Sequence, residues 1–584
     1  MPSCSHQNRI RKIKCGEERP ACDKCTSTGR VCEGYGIWTE PGSWNRNGPL
    51  ARTVVPMISR LESQLVNTSP LVNLSGFKGI EEQGYFDWFK RCTVPKLPGA
   101  FPSAFWEVFL LQAGASEPAV LHAILALGSA HKRKVLYSGL ETVEVPPDLQ
   151  EQFMLRHYSK AIINLRPHLT YNNRASARVA LVTCLVFISL EYIRGHYRAG
   201  QIHLHNGLKL LQEVEAKEAR ETDRAIIIMN PKPESIDDWI IDSYARLQAQ
   251  GDFFGKRSRA LRFVLQDSPL SVKIAFFESA AQARQLIERL IDELIYLKDR
   301  YAMHVVYSEN EYKLDTDART MQELHTKHQF LRDELAIWVR RCRPPLQRPF
   351  SKKLSIENIA YKLLGIYHAA AKIMVSCIPH LHDESIFDSQ TASFLSIVNQ
   401  AIEINQLVNS GQNLHDSPGR NEMSSSITDL GWIPPLFFTA MKCRHHRIRM
   451  QAIKLLSYAL HKEGVWDAKL SVSLAREVVE LEEGTFYDGY DEVEDFHSPI
   501  VSLEEKDLTL PLLPRSDRWE DVDVVLPEAD KGKFIITLRR QCGDGSWEML
   551  RREYNARLRA WVGGSIERLS DDEWEAWRAG ESIL

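Results

Sequence analysis

The chain has 584 residues and a formal net charge of −3 at pH 7; this length exceeds what one hydrophobic core normally serves. An apolar share of 44% is typical of soluble globular proteins and argues against a compositionally disordered chain. Because the overall charge is slightly negative, any nucleic-acid binding has to come from a locally basic segment.

The N-terminal segment concentrates cysteines. Cys15, Cys22, Cys25 and Cys32 follow the spacing C-x6-C-x2-C-x6-C, and Cys4 lies upstream of them. Two cysteines separated by two residues can bring both thiolates to one tetrahedral zinc ion. The spacing therefore predicts a small zinc-stapled module. A redox role or a coincidental cluster is the alternative, and it fits the spacing less well.

Four basic residues, Arg9, Arg11, Lys12 and Lys14, directly precede Cys15, with no acidic residue among them. Such a run can neutralise DNA phosphates. A nuclear-import signal is an alternative interpretation, and the two roles are compatible.

The remainder of the chain divides by composition. Residues 37–75 are rich in Pro, Gly, Asn and Ser, which indicates a linker. From about residue 81 onward, apolar residues recur at helical spacing. The predicted organisation is therefore a zinc module over residues 1–36, a linker over residues 37–75 and a large multi-helix domain over residues 76–584, with an all-α fold class.

The helical body is predicted in some detail. Residues 174–194 are apolar nearly all round, which is typical of the central helix of a bundle. Their most apolar run, residues 179–190, is too short to span a bilayer. A small hairpin of residues 522–526 and 534–538 is the only sheet that we expect. Helices are predicted over residues 101–111, 117–132, 152–165, 174–194, 196–214, 275–304, 324–339, 356–377, 393–408, 435–458, 470–481 and 546–561.

Isolated cysteines and histidines in the body have ordinary structural interpretations. Six further cysteines are scattered singly, which favours reduced thiols in a cytosolic or nuclear compartment. His445 and His446 lie beside Cys443, but no second cluster at ligand spacing accompanies them. We expect His445 and His446 to be surface or core histidines. Three histidines on apolar helices should be core or boundary residues; they are His131, His203 and His205.

Enzymatic motifs are missing from the sequence. We find no Gly-rich phosphate loop, no G-x-S-x-G elbow, no H-E-x-x-H helix and no dinucleotide fingerprint, and each of these needs a fixed residue pattern. The sequence therefore predicts a protein that is not an enzyme.

Residues 9–34 resemble the later two thirds of the fungal Zn2Cys6 binuclear cluster domain. In that family six cysteines hold two zinc ions, and the four cysteines from Cys15 to Cys32 match the third to the sixth. Ser5 and Asn8 stand at the first two ligand positions, with Cys4 and His6 close by. We expect a longer N-terminal segment, carrying two more cysteines, to precede residue 9 in the native protein.

Residues 85–101, 109–131 and 431–456 are similar to the fungal-specific transcription factor middle domain, which often follows such clusters. The resemblance implies an all-helical regulatory region without catalytic residues. It also implies that Arg11 and Lys12 lie on a short helix that enters the major groove and reads a CGG-type triplet.

The functional prediction is a zinc-dependent, sequence-specific DNA-binding regulator of RNA polymerase II transcription in a fungal nucleus. Its expected partners are double-stranded DNA with CGG-type sites, the transcription machinery and a second copy of the chain, with no membrane. The alternative is a helical interaction protein that has lost DNA binding along with its first two zinc ligands.

Overall fold

The structure is a computed structural model. Apart from Ser27, it describes residues 79–136, 148–170, 173–215, 225–252, 261–265, 276–308, 314–342, 356–380, 383–410, 428–429, 431–458, 461–490, 502–504, 508–525, 533–542, 546–555 and 560–569. The zinc module and linker predicted from the sequence lie outside these residues, so both stay predictions.

The chain forms two compact units. Of the described residues, unit 1 contains those within 1–98, 102–248 and 258–266, and unit 2 contains those within 99–101, 249–257 and 267–584. Each unit has its own helical core, and the mostly helical fold expected from the sequence is confirmed for the part of the chain that the structure describes.

Unit 1 is a helical bundle in which α3 packs against α4 and α5, and α5 packs against α6. Short π-helical and 3-10 segments at Phe89–Thr93, Val94–Lys96 and Phe105–Phe109 join its first helices. Its main helices are α1 Ile80–Trp88, α2 Leu110–Ser116, α3 Pro118–Leu136, α4 Leu149–Thr170, α5 Arg174–Arg194, α6 Tyr197–Glu215 and α7 Ile236–Asp252, the last of which runs into unit 2.

Helix α5 is the central helix that its composition predicts. The Asn173 side chain accepts a hydrogen bond from the Ser176 amide at its start, and Gly195 ends it in the left-handed region at φ 79°. Both residues satisfy backbone groups that a helix end leaves unpaired. Leu185 is fully buried. By length and composition α5 passes as a membrane span, but 89% of its most apolar window is buried inside the protein, as in the core helix of a globular bundle.

One strand pair in unit 1 was not expected. Strands β1 (Ala225–Met229) and β2 (Leu261–Leu265) pair in parallel, with Ile227 opposite Phe263. Helix α7 lies between them in the sequence, as a parallel connection requires. Ile227 and Phe263 are both buried, so the short apolar run of β1 contributes to the core.

Unit 2 contains a second set of helices, in which α8 packs against α9 and α10, α10 against α11, and α12, α13 and α14 against one another. The predicted single helix over residues 435–458 is interrupted at Cys443, whose backbone is extended at φ −76° and ψ 132°. The helices are α8 Ala280–Ser308, α9 Leu314–Arg341, α10 Ile356–Cys377, α11 Thr391–Ser410, α12 Ile433–Lys442, α13 His446–Tyr458 and α14 Ala468–Glu483.

The C-terminal part of unit 2 is a five-stranded antiparallel sheet of order β5-β6-β7-β8, with β9 also pairing with β7. The predicted hairpin is confirmed, since Val522 lies opposite Leu538. The helix predicted over residues 546–561 is wrong. Its residues form β7 and β8, because Leu550 and Tyr554 lie across from the buried Leu538 and Phe534 of β6. The strands are β5 Asp521–Val525, β6 Phe534–Gln541, β7 Trp547–Asn555, β8 Ala560–Val562 and β9 Ile566–Leu569, and a two-residue pair, β3 Lys462–Glu463 and β4 Trp466–Asp467, precedes α14.

Candidate functional site

The residues predicted from the sequence to bind zinc and DNA lie outside the described residues. The structure therefore neither brings them together nor separates them, and their roles stay predictions. They are Cys4, Cys15, Cys22, Cys25 and Cys32 for zinc and Arg9, Arg11, Lys12 and Lys14 for DNA.

Within unit 1, the starts of α5 and α7 meet at a charged cleft. Arg178 donates to Asp237 through both Nε and Nη2, at 2.6 Å to Oδ1 and 2.6 Å to Oδ2. Arg174, one turn earlier on α5, donates from Nη2 to Oδ2 at 3.0 Å. Arg178 is only 3% exposed, so this ion pair is largely shielded from water.

The cleft is narrow, with room for little more than a water molecule, and is partly open to solvent. Burial alone would raise the pKa of Asp237, but the hydrogen bonds and positive charges of Arg178 and Arg174 outweigh it and lower that pKa. Asp237 is therefore a carboxylate at neutral pH. The other lining residues are aliphatic: Ala177, Leu181, Leu211, Val214, Ile240 and Ile241.

These ion pairs link α5 to α7 and do not provide a reactive group. No lining residue is a serine, cysteine, histidine or lysine, and an ionised carboxylate held by two guanidinium groups is a poor general base. The sequence alone did not predict this cleft. The available signal was a pair of arginines four residues apart at the start of an otherwise apolar helix.

Unit 2 contains a larger buried cluster of charges at the meeting point of α12, α13 and α14. Arg444 donates to Glu384 at 3.1 Å and lies 3.2 Å from Glu482. Arg449 bonds Glu482 and Glu483. The side chains of Arg444 and Arg449 are fully buried, so each charge depends on its partners.

The same cluster holds the segment that leads into the C-terminal sheet. Trp519 donates its backbone N–H to Glu482 at 2.9 Å, and its carbonyl accepts from Arg444 at 3.3 Å. Arg518 bonds Asp388 through two contacts of 3.0 Å. Although burial raises the pKa of Glu482, the charges of Arg444 and Arg449 lower it overall. The cluster is thus an ionic scaffold within unit 2.

The histidines that the sequence analysis singled out take structural positions. His131 is buried with Nδ1 2.9 Å from Thr93 Oγ1, and burial, together with nearby lysines, lowers its pKa to about 3. His203 Nε2 lies 3.0 Å from the Tyr158 hydroxyl. Both are core or boundary residues, as predicted, whereas His205 is exposed.

Beside Cys443, His446 Nδ1 lies 2.7 Å from Glu483. Burial raises the pKa of the Cys443 thiol to about 12, which makes it a poor metal ligand. Across the described ranges, no group of three or more His, Cys, Asp and Glu side chains is arranged to hold a metal ion. The six body cysteines are free thiols.

Comparison with known proteins adds a family likeness. Residues 85–268 match the model of the fungal specific transcription factor domain. This stretch covers nearly all described elements of unit 1, from Tyr85 in α1 to β2. The match ends at residue 268, so it does not reach residues 431–456, which the sequence analysis had included in the resemblance.

Two curated proteins are similar to part of the chain. The "Aspercryptin biosynthesis cluster-specific transcription regulator atnN" of Emericella nidulans is 30% identical over 229 residues, which cover 36% of this chain and 35% of that protein. The "Transcription regulator lscL" of Purpureocillium lilacinum is 25% identical over 222 residues, 36% of this chain and 49% of that protein. The chain thus spans between a third and a half of the length of these relatives. No solved structure matches the chain.

Proposed function

We propose that this chain is a zinc-dependent, sequence-specific DNA-binding regulator of RNA polymerase II transcription in a fungal nucleus. The observation that carries the proposal is that residues 85–268 match the fungal specific transcription factor domain, while a separate basic, cysteine-rich segment precedes them. Both similar curated proteins are named transcription regulators, which supports the same class.

In this proposal the N-terminal cysteines hold zinc as thiolates. Cys15, Cys22, Cys25 and Cys32 are the ligands, and Cys4 is the nearest additional thiol. A module of about thirty residues has almost no hydrophobic core, so its folding free energy comes largely from the metal. Ser5 and Asn8 cannot act as thiolate ligands, and we therefore expect fewer than two tightly bound zinc ions per chain.

The basic run supplies the DNA contacts. Lys12, with Arg11 beside it, donates to the O6 and N7 acceptors that guanine displays in the major groove. Arg9 and Lys14 contact phosphates, which positions the module without reading sequence. The preferred site is a CGG-type triplet.

In this proposal the helical units have the regulatory function. They are proposed to contact the transcription machinery and a second copy of the chain through their surfaces. In the charged cleft and the ionic cluster the charged groups are paired with one another within the fold.

A second function is favoured by one observation, the presence of Ser5 and Asn8 at the first two ligand positions. A chain that has lost these ligands would act as a helical interaction protein without DNA binding. Zinc content separates the two functions, because the regulator needs metal and the interaction protein does not.

The test is a gel-shift titration of the purified full chain, with cysteines restored by Ser5→Cys and Asn8→Cys, on CGG-containing and scrambled duplexes, with and without a chelator. Lys12→Ala should weaken binding to the CGG duplex by roughly 1 to 3 kcal/mol and relax the preference. Arg9→Ala or Lys14→Ala should weaken binding to both duplexes alike and flatten the salt dependence by about one unit. DNA binding that is absent, or indifferent to the chelator and to Lys12, would support the interaction protein.

A further inference from the structure

We propose that the flank of α4 next to α6 binds an acidic amphipathic helix of a partner protein. This flank carries a row of apolar side chains, the apolar stripe, which consists of Leu155, Tyr158, Ile162, Leu165 and Leu169. The inference deepens the proposed function, on which it rests, because it names the kind of partner that unit 1 contacts.

The apolar stripe follows a heptad pattern. Leu155, Ile162 and Leu169 are seven residues apart, and Tyr158 and Leu165 each come three residues after one of them. Side chains at these spacings line one face of a helix. With a rise of about 1.5 Å per residue, the stripe is about 21 Å long. This is the pattern with which one helix packs against another.

The stripe is partly open to solvent. Leu155, Ile162 and Leu169 are 40%, 39% and 64% exposed. Helix α4 exposes more large apolar side chains than any other helix in the described part of the chain. Apolar side chains that are exposed together on one surface commonly mark an interaction site, so this flank is a candidate for a contact with another molecule.

The stripe lies beside α6 and not on the outermost face of α4. Tyr158 packs edge-on against Phe187 of α5, with ring centroids 4.6 Å apart, and its hydroxyl lies 3.0 Å from His203 Nε2 of α6. Ile202, the neighbour of His203, is 53% exposed. A partner helix can lie along this flank and contact both α4 and α6, whereas a flat membrane surface would meet the outer faces of these helices first.

Two cations border the apolar side chains. Arg166 comes one turn after Ile162 on α4, and Lys209 comes two turns after Ile202 on α6, so each lies on the same side of its helix as the apolar residue. Both cations are exposed. Within the part of the chain that the structure describes, neither Arg166 nor Lys209 forms an ion pair. Their charges are therefore available to an acidic partner.

The charge balance of α4 favours an acidic partner over a second copy of the chain. Helix α4 contains three basic residues and one acidic residue, Glu151, which pairs with Arg133 at 3.2 Å. The charges of α6 are balanced, with two basic and two acidic residues. Two copies joined through α4 would bring like charges together, which opposes association. Acidic side chains beside the apolar ones of a partner helix would instead be attracted to this flank.

The test measures fluorescence anisotropy of a labelled peptide that is titrated with the purified full chain. The peptide has three heptads, with leucine at positions a and d and glutamate at the exposed positions, and a second peptide carries lysine in place of glutamate. The stripe variant is L155Q/L169Q and its control is I80Q/L149Q. Ile80 and Leu149 are 91% and 79% exposed, and Leu149 lies two and a half turns before Tyr158, on the opposite face of α4.

We expect the acidic peptide to bind the wild-type chain saturably and the lysine peptide to bind about tenfold more weakly. The stripe variant should bind the acidic peptide about tenfold more weakly than the wild type, with an unchanged melting temperature by circular dichroism. The control should bind like the wild type.

A second pair of variants tests the charges. R166Q/K209Q should weaken binding of the acidic peptide by about fivefold at low salt and by less at high salt, because the attraction between exposed charges is screened. The matched control R91Q/R332Q removes two exposed cations elsewhere and should leave binding unchanged.

Several results would overturn the proposal. They are the absence of saturable binding of the acidic peptide, a stripe variant that binds it like the control, and equal binding of the lysine peptide. Vesicles of phosphatidylcholine and phosphatidylserine that bind the wild type but not the stripe variant would assign the stripe to a membrane instead. A dimer in sedimentation that only the stripe variant loses would assign it to a second copy.

Gel shifts on CGG-containing and scrambled duplexes separate this proposal from the proposed function. They use the chain with Ser5→Cys and Asn8→Cys. If that chain prefers CGG but the peptide does not depend on the stripe, only the docking site is wrong. If that chain does not prefer CGG but peptide binding depends on the stripe, the docking site stands and specific DNA readout is wrong.

Discussion

At the scale of single residues, the two helical units keep buried charges by pairing them. Asp237 is held by Arg178 and Arg174 in unit 1, and Glu482 is held by Arg444 and Arg449 in unit 2. Breaking such a pair leaves one charge without its partner in a poorly solvated place, which costs far more than the intact pair contributes.

Arg178→Ala should destabilise unit 1 by about 3 kcal/mol, because it strips Asp237 of its bidentate partner while Arg174 stays. Urea denaturation of the full chain measures the change. The double variant Arg178→Met with Asp237→Leu should recover much of the loss, since it removes both charges. Arg156→Ala, at an exposed position, serves as the control and should change stability little. An Arg178→Ala variant as stable as this control would show that the pair is not buried as described.

The lowered pKa of His131 makes the stability of the folded protein depend on pH in a defined direction. Its pKa is lowered to about 3 in the folded protein, against about 6.5 in an unfolded chain. Below pH 6.5 the unfolded chain takes up a proton that the folded protein does not. The contribution of His131 to the free energy of unfolding is therefore fully present above pH 6.5. It falls as the pH is lowered toward 3, by up to about 1.4 kcal/mol per pH unit.

We expect the stability advantage of the wild type over His131→Gln to shrink as the pH is lowered from 7 to 4, because glutamine does not titrate. Denaturation curves at intervals across this range measure it. An advantage that stays constant or grows on acidification would contradict the burial of His131 as a neutral side chain.

The cysteines give a prediction about metal. The purified chain should retain zinc, but with fewer than two tightly bound ions, because Ser5 and Asn8 replace two thiolate positions. Elemental analysis after dialysis against a weak chelator gives the stoichiometry, and Cys22→Ser combined with Cys25→Ser should abolish it. Two equivalents retained by the wild type would mean that Cys4 or His6 completes a binuclear cluster.

At the scale of elements, α5 is the part of the fold that the sequence predicts best. Its apolar run is preceded by Asn173 and followed by Gly195, so neighbouring residues in the sequence mark both ends of the helix. Both residues form the expected caps in the structure. The charged cleft could not be predicted in the same way. Arg178 and Asp237 are 59 residues apart, and only the packing of α5 against α7 brings them together.

Leu185→Asp should unfold unit 1 at a cost of several kcal/mol, because it places an unpaired charge at a fully buried position. Ile163→Asp is the matched control, since Ile163 is 59% exposed and its variant should melt close to the wild type. Zinc content should be unchanged in both variants. A Leu185→Asp protein with the wild-type melting temperature would mean that α5 is not the core helix.

The strand β7 shows where sequence patterns fail. Its segment contains Glu, Met, Leu and Arg, which favour helices, and the sequence predicts a helix there. In the structure Leu550 lies opposite Leu538 and Tyr554 opposite Phe534. Burial against the neighbouring strand outweighs the weak intrinsic preference. Likewise, helical periodicity does not predict the break between α12 and α13 at Cys443, where the backbone is extended.

At the scale of the whole molecule, the family likeness falls on unit 1, and the residues proposed to bind DNA come earlier in the chain. The net charge of −3 means that DNA affinity has to be local. In the proposed function this affinity comes from the basic run before Cys15. Length and composition predicted a helical body, but they could not predict its division into two units, which depends on contacts between residues distant in the sequence.

Zinc-held cysteines are proposed to present Lys12 to a CGG-type site, and a gel shift of the full chain with cysteines restored by Ser5→Cys and Asn8→Cys tests this most directly. We expect the unaltered chain to show weak or no preference for the CGG duplex over a scrambled one. The restored chain should prefer CGG by at least tenfold in zinc and lose that preference with a chelator or with Lys12→Ala. A restored chain that binds two zinc ions and still does not distinguish CGG from scrambled DNA would contradict the account and favour the interaction protein.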